Sequence, residues 1–231
     1  MLALLTDLHW GAIAQIVAID LLLGGDNAVV IALACRNLPA QQRMRGVLWG
    51  TAGAIVLRVL LIGFAVTLLH IPLLKMMGGL LLFWIGIKLM LPEVNTNNDI
   101  RSNDQLLGAI KTIIAADFVM SLDNVIAIAG AAEAAQPEQR FFLILFGLIL
   151  SIPIIIWGSQ LVLKLLTRFP LIIAAGAALL GWIAAGLIMS DPWVQQFKLF
   201  VTPVAGYIAS ALGAALVVVL GTGLKRRTAR D

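Results

Sequence analysis

Two short polar motifs interrupt the apolar stretches of this 231-residue chain. Each motif has the form Asp-x5-Asp-Asn. An aspartate at the centre of a membrane helix costs about 2.5–3.5 kcal/mol, so four of them need compensation by a cation, by protonation, by an arginine or by water. The motifs therefore predict a functional site rather than incidental charges. Their residues are Asp20, Asp26, Asn27, Asp117, Asp123 and Asn124.

The chemistry of this set is that of hard oxygen ligands. Carboxylates and amides make up both motifs, and Ser121 adds a hydroxyl to the second one. Cys35 lies near one end of its apolar stretch, and both histidines lie outside such stretches. Oxygen-only coordination suits Mg²⁺, Ca²⁺ or Mn²⁺ rather than zinc or copper. The residues thus predict a divalent-cation site.

Helical spacing tells which of these side chains share a face. At about 100° per residue, Asp20 and Asn27 lie on one face, whereas Asp20 and Asp26 point in different directions. Gly24 and Gly25 lie between them and lower helix stability. This pattern predicts a break in the first motif helix. Ser121 and the leucine after it replace the glycines in the second copy, which predicts a less broken helix there.

The composition places these motifs in a membrane protein. The chain is 61% hydrophobic and 12% charged, against about a quarter charged for a soluble domain. Its basic residues flank apolar segments and form no stripe, which argues against a nucleic-acid partner. A helix needs about 20 apolar residues to cross a bilayer. The sequence predicts an all-α fold with seven transmembrane helices, at 10–34, 46–69, 72–91, 106–132, 141–163, 171–189 and 199–224.

Basic residues also predict the orientation of the spans. With the N-terminus outside, twelve of the sixteen Lys and Arg residues fall on the cytoplasmic side and three fall outside. Cytoplasmic loops of membrane proteins carry such an excess. We therefore expect an outer N-terminus and a cytoplasmic C-terminus, with Arg58 left inside the second span.

The motif copies belong to a longer internal repeat. An offset of 97 residues aligns Asp20 with Asp117, and it also aligns Gly50 with Gly147 in the next span. Three spans are included in each copy, so the copies must cross the membrane in opposite directions, as in many secondary transporters. We predict a single transmembrane domain: repeat one at 10–91, a polar cytoplasmic loop at 92–105, repeat two at 106–189 and a separate seventh helix at 199–224.

The same residues resemble the TerC family of integral membrane proteins. The resemblance covers nearly the whole chain and includes Asn37-Leu-Pro39 before a basic segment, and Arg58 in the second span. It implies manganese export, and more loosely calcium handling and tellurite resistance. It also implies a metal site made of the motif residues Asp20, Asp26, Asn27, Asp117, Asp123 and Asn124. The hydroxyl of Ser121 beside the second motif predicts an additional ligand. This chain differs in having Gly24-Gly25 where many relatives have Ser-Leu.

The leading hypothesis is a secondary transporter in the cell (inner or plasma) membrane that exports a divalent cation by alternating access. Mn²⁺ is the first candidate and Ca²⁺ the second, with proton antiport as a candidate form of coupling. The expected partners are the metal ion and the lipid bilayer, and no enzymatic activity or cofactor is expected. Arg58 is either a counter-ion of the empty site or a side chain that extends to an interface.

Other classes of protein remain as alternatives. A membrane assembly or metal-delivery factor is one, although the sequence offers no docking domain for it. An intramembrane aspartyl protease is disfavoured, because Gly24-Gly25-Asp26 does not match the G-x-G-D spacing. A retinal protein is also disfavoured, since the last span has no lysine in its interior. The oligomeric state stays open.

Overall fold

The computed structural model describes residues 10–69, 71–91, 100–132, 137–169, 171–197 and 202–228. Regular structure within these ranges is helical throughout, which confirms the all-α prediction. Seven helices are long and one is a single turn. They are α1 (Trp10–Cys35), α2 (Ala40–Leu69), α3 (Leu74–Met90), α4 (Ile100–Ala132), α5 (Pro137–Arg168), α6 (Leu171–Met189), α7 (Pro192–Gln195) and α8 (Pro203–Thr228).

Each long helix coincides with one of the predicted spans. Within the described residues, five segments are long and apolar enough to cross a membrane. These segments are Ala40–Phe64, Asp104–Leu122, Phe142–Arg168, Leu171–Met189 and Val204–Arg227. The chain is therefore a multi-pass membrane protein, while the count of seven spans stays a prediction. Residues 92–99 of the predicted loop and 199–201 of the predicted seventh span lie outside the described residues.

The outer surface of the bundle is apolar. Trp49, Phe64, Met77, Trp157 and Tyr207 each expose more than three-fifths of their surface. An apolar exterior of this extent would favour aggregation in water but is suited to contact with lipid chains. The apolar surface thus agrees with the membrane assignment made from composition.

A short hairpin joins α1 to α2. Arg43 donates from Nε to the Leu38 carbonyl at 3.0 Å and from Nη2 to the Arg36 carbonyl at 3.1 Å, which satisfies two backbone carbonyls of the connection that follows α1. A Cβ added at Gly46 would lie 2.8 Å from Cys35 Sγ. The two helices are therefore in contact beside the connection and run antiparallel from it.

Two extensive helix contacts join the two predicted repeats. α2 packs along α4, and α1 packs along α5. The two helices of each pair run parallel, because residues later in one helix contact residues later in the other. On α2 and α4, Gly46 faces Leu106 and Gly53 faces Ile114. The pair α1 and α5 behaves in the same way, with Gly147 facing Ile16 and Gly158 facing Ala28.

The remaining long helices close one side of the bundle. α3 packs against α6, and α6 packs against α8. Leu82 of α3, Val119 of α4 and Leu180 of α6 are fully buried in one apolar cluster. This cluster holds the middle of α4 in place, which is the part of that helix that carries Asp117.

The predicted break in the first motif helix is wrong. α1 is helical through Gly24 and Gly25, and α4 is equally continuous through Ser121. Glycine costs about 1 kcal/mol relative to alanine within a helix. An unbroken helix, however, satisfies every internal backbone group inside a bilayer, where an unpaired group costs several kcal/mol. In a bilayer, unpaired backbone groups therefore cost more than two glycines within a helix.

Candidate functional site

Arg58 lies at the centre of a buried polar cluster. It extends from α2 to Asp20 on α1 and to Asp117 and Ser121 on α4. Nη1 forms an ion pair with Asp20 Oδ1, Nη2 lies 2.5 Å from Asp117 Oδ1, and Nε donates to Ser121 Oγ at 3.1 Å. All four residues expose 5% or less of their surface. The cluster thus joins an aspartate of each motif copy through one guanidinium.

The local sequence explains how α4 presents its half of this cluster. Asp117 and Ser121 are four residues apart, so they lie on one face of the helix. Ser121 Oγ donates to Asp117 Oδ2 at 3.1 Å instead of bonding to a carbonyl of its own helix. Ser151 and Ser159 on α5, by contrast, donate to carbonyls four residues earlier. The Ser121 hydroxyl is therefore directed into the site.

The charges of the cluster do not cancel formally. One guanidinium faces two carboxylates, which leaves a formal charge of −1 among Asp20, Arg58 and Asp117. Buried charges persist in apolar surroundings only when they are paired and hydrogen-bonded. Arg58 therefore takes the counter-ion position, in contact with both aspartates and not extended to an interface.

The other predicted metal-binding residues lie at different levels of the bundle. Asn27 and Asn124 are 5% and 7% exposed. Each stands seven residues after the aspartate of its motif, which is about 10 Å along a continuous helix. Because α1 and α4 run in opposite directions, Asn27 lies to one side of Arg58 and Asn124 to the other. The predicted residues whose side chains are described thus form no single group.

Two residues of the predicted set need separate mention. Asp26 is half-buried, and its Oδ1 is buried without a hydrogen-bond partner among the described residues. Asp123 belongs to α4, but its side chain lies outside the described part of the chain. Among the described residues, no group of three or more His, Cys, Asp or Glu side chains is arranged to hold a metal ion.

Sequence reasoning missed Thr51. This residue is 2% exposed on α2, and its hydroxyl has no hydrogen-bond partner among the described residues. It precedes Arg58 by seven residues, so both lie on the same face of α2. A polar residue seven positions before an arginine, within one apolar span, is the sequence signal that points to Thr51.

Asp191 was also missed, but its position is structural. It is fully buried after α6, and its carboxylate accepts N–H donors from Leu73, Met76 and Trp193 at 2.8–3.2 Å. These donors belong to the beginnings of α3 and α7. The Asp191-Pro192 pair is a typical helix start, with a capping aspartate before a proline.

The fold and the buried cluster define an all-helical, multi-pass integral membrane protein with a polar centre. Comparison of sequences specifies the class further. The chain belongs to the TerC family of integral membrane proteins, whose sequence profile matches residues 5–229. The predicted resemblance to this family is therefore confirmed.

Relatives of the chain are membrane proteins of bacteria. It is 45% identical over 182 residues to the uncharacterized membrane protein YjbE of Bacillus subtilis, covering 79% of this chain and 81% of YjbE. It is 27% identical over 190 residues to the uncharacterized membrane protein YceF of the same organism, with 78% and 72% coverage. It is 24% identical over 236 residues to the inner membrane protein YgdQ of Escherichia coli, with 94% of both chains covered. No solved structure matches the chain.

Proposed function

We propose that this protein is a secondary transporter that exports a divalent metal cation, with Mn²⁺ as the first candidate and Ca²⁺ as the second. The observation that carries the proposal is the contact of Arg58 with Asp20 and Asp117. A positive group is held between two buried carboxylates, one from each motif copy. A cation of the right size and charge would find the same two ligands.

The ligand chemistry supports a divalent metal. Asp20 and Asp117 offer carboxylate oxygens, and Ser121 offers a hydroxyl beside them. Asp20 Oδ2 is buried without a hydrogen-bond partner among the described residues, so it is available as a ligand. These donors are those that Mn²⁺, Ca²⁺ and Mg²⁺ prefer. The choice of Mn²⁺ among them rests on the family association.

Charge balance supports an exchange between Arg58 and the metal. With Arg58 in place, the two carboxylates keep a formal charge of −1. A dication in its place would bring that charge to zero, provided that the guanidinium moves aside. Arg58 would then stabilise the empty carrier, and the metal would stabilise the loaded one. Proton antiport is compatible with this scheme, because protonation of a carboxylate could accompany release.

The packing of the helices supports the inverted repeat. Gly50 of α2 lies against Ile113 of α4, and Gly147 of α5 lies against Ile16 of α1. The offset of 97 residues converts the first pair into the second. The same offset relates Asp20 to Asp117, but it relates Arg58 to Ile155. The two halves therefore share one arginine, as expected for a site on an approximate two-fold axis.

Alternating access follows from this arrangement when the halves rock about the central site. We place the N-terminus outside and the C-terminus in the cytoplasm of the cell membrane, as the basic residues predict. Export then begins at the end of the bundle formed by the α1–α2 hairpin. The metal leaves at the opposite end.

Uptake of Mn²⁺ into inverted membrane vesicles tests the proposal. We expect uptake by the wild-type chain and its loss in Asp20→Asn combined with Asp117→Asn, as well as in Asp26→Ala and Asp123→Ala. Lys111→Gln on α4 serves as a control, because that residue is exposed. Unchanged uptake in the combined Asp20 and Asp117 variant would refute the proposed site, and no uptake by the wild-type chain would refute the proposed function.

A further inference from the structure

Thr51 of α2 lies near polar residues of α1 that do not belong to the central cluster. We infer that Thr51, Asp26 and Asn27 form a second station for a divalent cation, on the hairpin side of Arg58. This inference rests on the proposed transport function. It adds a step in which the cation binds near the hairpin before it reaches the central cluster. Thr51 is the one residue of this station that the sequence did not predict to bind metal.

The positions of the two helices bring these residues to one level. α1 and α2 are antiparallel and meet at two places, Asp20 with Arg58 and Cys35 with Gly46. Asn27 follows Asp20 by seven residues, and Thr51 precedes Arg58 by seven. Each is therefore displaced by about 10 Å toward the hairpin. Both lie between the two meeting points.

The same spacing fixes the faces of the helices. Seven residues are nearly two full turns, so Asn27 shares the face of Asp20, and Thr51 shares the face of Arg58. Since Asp20 and Arg58 face each other, Asn27 and Thr51 lie on facing sides as well. Both are at least 95% buried, so neither extends to the outer surface of the bundle.

Unpartnered polar atoms are concentrated at this level. Among the described residues, Asp26 Oδ1, Asn27 Nδ2 and Thr51 Oγ1 are buried without a hydrogen-bond partner. A buried polar atom left in this way destabilises the protein. Buried polar groups in native proteins are normally satisfied, so three at one level indicate that a ligand is bound there during function.

The hydroxyl of Thr51 differs from those of two other helical threonines. Thr112 donates to the Gly108 carbonyl and Thr222 donates to the Val218 carbonyl, at 2.8 and 2.7 Å. Such bonds to the preceding turn are the usual way to satisfy a hydroxyl in an apolar helix. Thr51 makes no bond of this kind within the described residues, so its oxygen is free to act as a ligand.

The station suits a cation that is still partly hydrated. Asp26 points about 100° away from Asn27 around the helix, so it supplies negative charge beside the station. The amide of Asn27 and the hydroxyl of Thr51 supply neutral oxygens. An amide can present its oxygen or its nitrogen by rotation, so Asn27 can act as a ligand or as a donor to bound water. A dication held here lies about two helical turns from the level of Asp20 and can displace Arg58 from that carboxylate in the next step.

Equilibrium binding of Mn²⁺ to the purified protein tests the inference, with the free ion measured by its electron paramagnetic resonance signal. A neutral-centre variant combines Asp20→Asn, Arg58→Gln and Asp117→Asn, which removes the central charges together and avoids an unpaired buried arginine. We expect this variant to keep weak Mn²⁺ binding. Adding Thr51→Val should weaken the residual binding about fivefold, whereas adding Thr112→Val should not.

Transport gives a second readout in the otherwise wild-type chain. Thr51→Val should raise the Mn²⁺ concentration for half-maximal uptake about fivefold and leave the maximal rate nearly unchanged, because it affects loading. Thr112→Val should change neither. Equal behaviour of the two threonine variants, or no binding at all by the neutral-centre variant, would refute the second station while wild-type transport still supported the proposed function. Absence of Mn²⁺ binding by the wild-type chain would refute both.

Discussion

Arg58 Nη2 on α2 lies 2.5 Å from Asp117 Oδ1 on α4, although 59 residues separate them in the sequence. The guanidinium also pairs with Asp20 on α1. One side chain therefore holds three helices and both motif copies together at the centre of the bundle. This arrangement makes Arg58 important for stability as well as for the proposed transport.

Removal of Arg58 should destabilise the protein strongly. Arg58→Leu leaves two buried carboxylates without a counter-ion, and breaking a buried pair from one side costs about 3–5 kcal/mol. We expect a lower melting temperature in detergent, and partial recovery on addition of Mn²⁺, because the metal would replace the lost charge.

The control for Arg58 is Lys111→Gln, which changes an exposed basic residue on α4. Its melting temperature should stay near that of the wild type. If Arg58→Leu melted like this control, the central ion pairs would not be a major source of stability.

Ser121 should matter more for the site than an equally buried serine elsewhere. Ser121→Ala removes the hydroxyl that links Arg58 to Asp117, and a hydrogen bond to a charged group is worth about 1.5–3 kcal/mol. Ser159→Ala removes a hydroxyl that bonds only to a carbonyl of its own helix, at 2.7 Å. We expect Mn²⁺ binding to weaken in the first variant and to persist in the second. Identical Mn²⁺ affinities would show that the Ser121 hydroxyl does not contribute.

Asp191 should affect stability without affecting metal affinity. Asp191→Ala leaves the N–H groups of Leu73, Met76 and Trp193 without their acceptor. The loss of a helix cap costs about 0.5–2 kcal/mol, and we expect a larger effect because two helix starts are involved. Thermal unfolding measures it, with Asp104→Ala at an exposed position as the control. A change in Mn²⁺ affinity in Asp191→Ala would contradict its purely structural role.

A methyl group at Gly50 should weaken the packing of α2 against α4. A Cβ at this position would collide with the Cδ1 atom of Ile113, whereas a Cβ at Gly63 on the same helix meets nothing within 4 Å. Gly50→Ala should therefore lower the melting temperature. Gly63→Ala should raise it slightly, because alanine is favoured over glycine in helices by about 1 kcal/mol.

A second substitution tests the cause of the Gly50 effect. Ile113→Val removes the Cδ1 atom that a new Cβ would meet first. We expect the combination of Gly50→Ala with Ile113→Val to recover part of the lost stability. If the combined variant were less stable than either single variant, close approach of α2 to α4 would not explain the glycine.

Much of the architecture followed from the sequence because the bilayer imposes strict conditions on it. Long apolar stretches become helices when no water is present to satisfy an open backbone, so the positions of the seven long helices agree with the predicted spans. The two motif copies identified Asp20 and Asp117 as central residues for a similar reason, since a carboxylate in an apolar span needs a partner.

The prediction for α1 failed where a local preference opposed a global requirement. The pair Gly24-Gly25 predicts a break because glycine weakens a helix, but only by about 1 kcal/mol per residue. Because the helix is continuous instead, Asn27 lies about 10 Å from the level of Asp20, and the expected single cluster becomes a series of polar levels. The sequence spacing contained this information, but its meaning depended on whether the helix stayed intact.

The sequence by itself determined the class of the protein, its helices and the oxygen chemistry of the motif residues, because these depend on residue type and on local spacing. The tertiary structure decided where the long side chain of Arg58 goes and which partners it meets. It also showed that the Thr51 hydroxyl has no partner among the described residues. Those features depend on the relative positions of α1, α2 and α4, which are set by packing between residues far apart in the chain.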